Sequence, residues 1–182
     1  MLAVRSDLSI ESKKVTISSK AEILSVELKF SNNDIVCVST CYRVGTLGEA
    51  NHKEIDRHLR TIAQRKKYSK HIVIGDFNLS KTPWPEAESS DYIDNLFIDT
   101  FNDLGLQQLV NFPTHEQGRT LDLVFTNKPS LIRDVIILDQ QEVCHSDHFG
   151  ITFKLNIKIK KIILLAIVVS SLWGEMYRPS WF

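Results

Sequence analysis

The sequence predicts an α+β fold, a mixed α/β layered sheet, on three observations. Strand-like segments outnumber helical ones, the helical segments are few and amphipathic, and the order mixes hairpins with crossovers, which disfavours a doubly wound nucleotide-binding arrangement. The 182 residues suit one domain that buries a core without disulfide staples. Hydrophobic residues at 43% and charged residues at 24% are ordinary for a globular chain. Lys plus Arg equals Asp plus Glu at 22 each, so there is no global basic field, and any nucleic-acid binding must rest on a local patch.

The chain opens on Met1-Leu2-Ala3-Val4-Arg5, without the charged region, apolar run and cleavage site of a secretory leader, and reads as starting inside a strand. Glu22 to Phe30 alternates strictly, with Leu24, Val26, Leu28 and Phe30 on one face and Ser25, Glu27 and Lys29 on the other: a half-buried strand. Ser31-Asn32-Asn33-Asp34 supplies turn chemistry. Ile35 to Tyr42 then runs almost continuously apolar or β-branched, predicting a hairpin whose second strand is more deeply buried. Cys37 and Cys41 lie in that run and read as small core residues rather than metal ligands; with Cys144 they make an odd number without ligand spacing.

Between Leu47 and Lys67 the positions Leu47, Ala50, Ile55, Leu59, Ile62 and Ala63 form one helical stripe, predicting an outer helix on a sheet. Arg65-Lys66-Lys67 at its end complements the helix dipole and stays solvated. His71 to Ile74 is too short for a helix and β-branched enough for a buried strand, and it ends abruptly in Gly75-Asp76-Phe77-Asn78. The loop with Pro83, Trp84 and Pro85 continues neither helix nor strand; Trp84 either contacts a substrate or packs the loop. A second helix begins near Asp91, with Ile93, Leu96, Phe97, Phe101 and Leu104 at helical spacing and Gly105 placed to end it.

Leu106 to Val110 reads as a short strand and Asn111 to Thr114 as the loop behind it. Thr120 to Thr126, TLDLVFT, is strand-like but holds Asp122 among apolar neighbours, where a carboxylate needs a partner. Ile132 to Leu138 is another apolar run. After Cys144-His145-Ser146-Asp147-His148, a last strand alternates Ile151, Phe153, Leu155, Ile157 and Ile159 with polar residues. Ile162 to Trp173 is uncharged but, at 12 residues, shorter than the roughly 18 to 20 that span a bilayer, so no stable membrane insertion is expected; the run reads as an extension of the strand, a weak anchor or sequence foreign to the domain. The domain is assigned to residues 1–155 and an apolar tail to residues 156–182.

The chemistry-bearing positions are Asp76 with Asn78, Asp122, and Asp147 with His148. Each taken singly reads equally well as structure: an Asx turn, an acid satisfied by backbone amides, a capping Ser-Asp. Together they suit attack of water on a phosphodiester, which needs a cation, a group that orients or deprotonates water, and donors for charge developing on phosphorus oxygens. Asp76 would orient or activate the water and Asn78 would hold water or a phosphate oxygen. His148 would contact the scissile phosphate, Asp122 would fix its tautomer and charge, and Asp147 would face the metal.

GDFN at Gly75 to Asn78, TLDLVFTN at Thr120 to Asn127 and SDH at Ser146 to His148, in that order, resemble the endonuclease/exonuclease/phosphatase superfamily. With FPTH upstream of TLDLVFTN and Cys41-Tyr42-Arg43 at a strand end, the closer resemblance is to the apurinic-endonuclease-like domain of non-long-terminal-repeat retrotransposons. The similarity covers about residues 1 to 155. It implies a four-layered, deoxyribonuclease I-like α/β sandwich, a magnesium ion (manganese as the alternative), DNA nicking that primes reverse transcription, and a reverse transcriptase domain in the full-length element. Nuclear placement follows if the domain acts on DNA. It also implies a phosphate-contacting role for Tyr42, with Arg43 beside it in substrate binding, and it agrees with the roles given above for Asp76, Asn78, Asp122, Asp147 and His148.

Two features depart from the family. Val44-Gly45 follow Tyr42-Arg43 where retrotransposon members usually carry prolines. The family's upstream Asn and metal-binding Glu have no counterpart in Met1 to Ser31, so the sequence reads as an N-terminally truncated copy, lacking its first strands and with impaired activity. The competing readings are a non-catalytic mobile-element remnant that at most binds nucleic acid, and the same fold turned to a phospholipid or inositol phosphate.

Overall fold

The computed structural model describes residues 10–17, 20–138 and 146–157, and the backbone of 163–167. Expectations that fall on the first nine residues, on Cys144, on Ile159 and on most of the tail lie outside these residues. No helix among the described residues is long and apolar enough to cross a membrane.

A six-stranded mixed sheet carries the architecture. Its strands are β1 (Ile10–Val15), β2 (Glu22–Phe30), β3 (Ile35–Tyr42), β4 (His71–Asp76), β5 (Gln107–Gln108) and β6 (Asp122–Thr126), in the order β1-β2-β3-β4-β6-β5. β2 and β3 form the expected hairpin, with Leu28 opposite Val36 and Asn33 in the left-handed conformation in the turn (φ 63°). β3 and β4 are parallel and therefore need a crossover, which helix α1 (Gly48–Ala63) provides; β4 and β6 are antiparallel. A second, antiparallel sheet has the order β7 (Ile132–Leu138), β8 (Gly150–Leu155), β9 (Ile163–Ile167). β9 falls in the segment assigned to the tail, and Ile157, two residues past the assigned boundary, is buried in the core.

The two faces of the six-stranded sheet bury different partners. Leu28, Phe30, Val36, Val38, Ile72, Ile74 and Val124 meet Ile132, Ile151, Phe153 and Leu155 of the second sheet. The opposite face, with Cys41, Val73, Leu123 and Phe125, lies under Ile55 and Leu59 of α1 and Phe97 and Phe101 of α2 (Tyr92–Asp103). The described residues thus build three layers of the expected sandwich: helices, a mixed sheet and an antiparallel sheet. Cys37 and Cys41 are buried core residues, as expected. Trp84 packs edge-on against Phe125 at 5.8 Å, joining the helix-side core.

The first helix departs from its predicted limits and face. It ends at Ala63, before Arg65-Lys66-Lys67, and Lys67 ion-pairs with Glu27 at 2.6 Å. Leu47, Ala50 and Ala63 are exposed, whereas Asn51, His52 and His58 are buried beside Ile55, Leu59 and Ile62. The apolar stripe misled because this interface is partly polar. Ser25, assigned to the solvent face of β2, is fully buried beneath α1 and bonded to His58 (2.8 Å) and Ser39 (2.6 Å). The second helix matches its prediction: Asp91 caps it by accepting from the Ile93 and Asp94 amides, and Gly105 (φ 61°) terminates it.

Candidate functional site

Three neighbouring strands end in the candidate site. Tyr42 on β3 is opposite Asp76 on β4, and Asp76 is opposite Asp122 on β6. Directly opposed residues share a face of a sheet. Asp76 follows Ile72 and Ile74, and Asp122 precedes Val124, so all three residues stand on the face turned to the second sheet, at the end of the inter-sheet core. Gly75 permits this ending. A Cβ there would run into the carbonyl of Cys41 on the adjacent strand, so only glycine lets β3 and β4 stay paired up to Asp76.

Beyond β4 the chain turns at Asn78 in the left-handed region (φ 50°). Its backbone N–H donates to Asp76 Oδ1 at 3.0 Å, and its Nδ2 donates to Asp76 Oδ2 (3.1 Å) and to the Arg43 carbonyl (3.2 Å). Two acceptors therefore fix the carboxamide orientation and occupy both of its hydrogens, leaving Oδ1 without a partner among the described residues. Asn78 thus clamps Asp76.

Arg43 does not join the substrate-facing side. It is buried, donates to the Phe77 (3.2 Å) and Asn78 (2.7 Å) carbonyls, lies 3.8 Å from the Asp94 carboxylate and stacks 5.3 Å from the Phe97 centroid. It braces the Asp76–Asn78 turn from the helix side. Tyr42, one residue earlier, points the other way, as alternation along a strand requires.

The buried acid of TLDLVFT has the partner that burial demands. His148 Nδ1 lies 2.7 Å from Asp122 Oδ2, and both side chains are almost fully buried. The Asp122 carboxylate accepts the Nδ1–H, which leaves Nε2 without a hydrogen-bond partner among the described residues. Thr114 anchors the strand start, its Oγ1 accepting from the Leu121 (2.9 Å) and Asp122 (3.0 Å) amides. Asp147 is half-exposed, and His115 Nε2 approaches its Oδ2 at 3.1 Å. His115 also meets the His148 ring edge-on at 4.9 Å.

The electrostatics follow from this crowding. Burial, and then the neighbouring Asp122 charge, push Asp76 up to about 7. The hydrogen bond to Asp122 raises His148 above the ordinary imidazole range against the opposing effect of burial. Burial raises Asp122, and its bond with His148 pulls it back.

The donor set fits a divalent cation. Asp76, Asp122 and His148 bring ligand atoms within 4.8 Å of one another, as do His115, Asp147 and His148. Two close carboxylates in a desolvated place, one with its Oδ1 buried and no well-formed hydrogen bond among the described residues, invite positive charge.

Of the residues singled out from sequence, the structure gathers Asp76, Asn78, Asp122, Asp147, His148 and Tyr42 at one end of the sandwich. Arg43 alone turns away. Sequence reasoning missed His115, Thr114 and Asp94. The first two lie in FPTH, a stretch quoted for its resemblance but given no role; buried Asp94 accepts from the Lys81 amide and the Thr82 hydroxyl, which no local pattern announced.

A sandwich of two sheets carries an Asp–His pair and an Asp–Asn turn at one end, and the family that the chain matches places it in the endonuclease/exonuclease/phosphatase class of phosphate-ester hydrolases. Within it, residues 36–152 match the family described as "Endonuclease-reverse transcriptase", and the chain belongs to that family. No curated protein sequence matches it. Solved structures similar to it include the human Nocturnin catalytic domain with bound sulfate anion, at 16% identity and TM-score 0.45, covering 79% of this chain and 51% of that one. Another is D. rerio TDP2 complexed with single strand DNA product, at 14% identity and TM-score 0.41, covering 78% of this chain and 65% of that one. The chain thus spans about half to two thirds of the length of these two.

Proposed function

We propose that this domain is a magnesium-dependent phosphodiesterase that nicks a DNA strand, the endonuclease of a retrotransposon, working beside a reverse transcriptase domain. The observation that carries the reading is the Asp122–His148 pair set beside Asp76. An acid poised near pH 7 is matched to taking a proton from water, and Asp76 is the residue so poised. Asn78 holds both Asp76 oxygens in place and keeps its own Oδ1 for the same water. Asp122 holds the proton on His148 Nδ1, so that His148 presents Nε2, and as imidazolium an N–H, to a phosphate oxygen. Tyr42 stands in register with Asp76 to contact the phosphate.

Asp147, the half-exposed acid, would face and hold the cation, beside the residues that act on water and phosphate. When bound, a divalent cation supplies Lewis-acid neutralisation of phosphate charge. DNA is proposed as substrate because the family description is that of an endonuclease.

The test is conversion of supercoiled plasmid to the nicked circle in Mg²⁺. Nicking is expected, lost with chelator and with Asp76→Ala. Turnover that survives chelator would overturn the metal-dependent reading, and cleavage of phospholipid or inositol phosphate in place of plasmid would overturn the substrate.

A further inference from the structure

His115 is a buried imidazole that the reaction above does not use. Its two nitrogens meet different partners. The Gln117 backbone N–H donates to Nδ1 at 3.1 Å, so Nδ1 must present a lone pair. A neutral imidazole has one N–H, which then sits on Nε2, and Nε2 lies 3.1 Å from Asp147 Oδ2. The surrounding backbone fixes both ends of this contact. The Glu116 amide donates to the Asp147 carbonyl (2.9 Å), the Phe149 amide donates to the Thr114 carbonyl (2.8 Å), and residues 115 and 148 form an antiparallel bridge.

We propose that His115 is a positioning residue: its Nε2–H holds Asp147 Oδ2 and directs Oδ1 towards the cation, so that His115 itself is not a ligand. Among the described residues, the side-chain contact of Asp147 Oδ1 is a long one, 3.5 Å from Ser146, and Oδ1 is the oxygen that the His115 bond leaves open. The rival arrangement makes His115, Asp147 and His148 three ligands of one transition metal, since their donor atoms lie within 4.8 Å. Coordination through His115 Nε2 would move the proton to Nδ1, where it would face the Gln117 amide hydrogen head-on and lose that bond. The Gln117 amide therefore selects the donor role. The result is two parallel imidazole–carboxylate pairs, Asp122–His148 and His115–Asp147, with their rings in edge contact. The cation part of this inference rests on the phosphodiesterase reading; the tautomer does not.

The experiment is long-range ¹H–¹⁵N imidazole NMR on the full chain, with and without Mg²⁺ and then Zn²⁺, together with a Mg²⁺ titration of the Asp147 carboxyl ¹³C resonance. The expected result is His115 protonated on Nε2 throughout. The titration midpoint should rise about tenfold in His115→Phe, which keeps the ring volume but loses the donor, and return to within about threefold in His115→Gln, which restores one. A proton on Nδ1, a Zn²⁺-induced switch of tautomer, an Asp147 carboxyl indifferent to Mg²⁺, or equal midpoints in the two variants would each overturn the proposal. Absence of plasmid nicking with these signatures intact overturns the phosphodiesterase reading and supports the positioning of Asp147.

Discussion

Two buried polar clusters lie on opposite faces of the same strands, and histidines in them behave in opposite ways. On the helix side, His58, Ser25, Ser39 and His71 are linked end to end: His58 Nε2 to Ser25 Oγ (2.8 Å), Ser25 to Ser39 (2.6 Å), Ser39 to His71 Nε2 (2.8 Å). Three bonds need three protons, and two hydroxyls supply two, so one imidazole donates from Nε2 and both rings can stay neutral. Burial pushes His58 and His71 down to about 4. On the other face, at the strand ends, His148 has a carboxylate partner and is pushed up. Burial of histidine is therefore no mark of function by itself. The mark is an acid partner at the end of a strand with one ring nitrogen left uncommitted.

The largest expected effect breaks the comparison at its histidines. His148→Ala removes the phosphate-facing imidazole and should slow plasmid nicking by about a hundredfold to ten-thousandfold. His58→Ala, whose ring is equally buried, should leave nicking per folded molecule unchanged and lower only the unfolding free energy. Comparable losses of nicking in both variants would erase the distinction. Next in size is Gly75→Ala, at the residue that lets β3 and β4 run together into the site. The added methyl meets the Cys41 carbonyl, a backbone group that cannot step aside, and should cost about 3 kcal/mol of unfolding free energy in urea.

Ser39→Ala comes third. It leaves His71 Nε2 without its partner and the Ser25 hydroxyl with one fewer, and should cost about 1–3 kcal/mol with no change in nicking rate. A change in rate without a change in stability would mean that the helix-side cluster reaches the site.

The same contrast explains what could be read in the chain beforehand. The strand ending in Gly75-Asp76-Phe77-Asn78 and the acid in TLDLVFT were legible because each breaks an apolar pattern at one position, and a buried carboxylate demands a partner. The helix-side cluster was not. Ser25 looks solvent-facing by alternation, and His58 looks polar on a helical wheel, because pattern reading assumes that polar means exposed. Each is satisfied in its buried place by partners distant in sequence, Ser25 by His58 and Ser39, and His58 by Ser25. Arg43 was misplaced for a related reason: its position beside Tyr42 was legible, but that Phe97, Asp94 and the Phe77 and Asn78 carbonyls wait on the helix side is a fact of tertiary packing.

The last expected effect is the pH dependence of stability, in which the two clusters oppose each other. Asp76, at about 7 against an ordinary 3.8, binds more protons folded than unfolded between those values. Its contribution is fully present below pH 3.8 and is lost as pH rises through about 7. His58 and His71, at about 4 against 6.5, bind fewer protons folded. Their contribution is present above pH 6.5 and is lost as pH falls through about 4. From these two clusters the slopes run in opposite directions between pH 4 and 6.5. Asp76→Asn separates them, since the carboxamide oxygen can still accept from the Asn78 amide while the titration disappears. With chelator present, urea unfolding should find the variant close to the wild type near pH 4 and increasingly more stable than it towards pH 7. The comparison with wild type cancels the titrating groups remote from the site, while Asp122 and His148 respond together with Asp76, so a difference that shrinks as pH rises would show that Asp76 is not held in the charge-averse setting that the neighbouring Asp122 and its burial create.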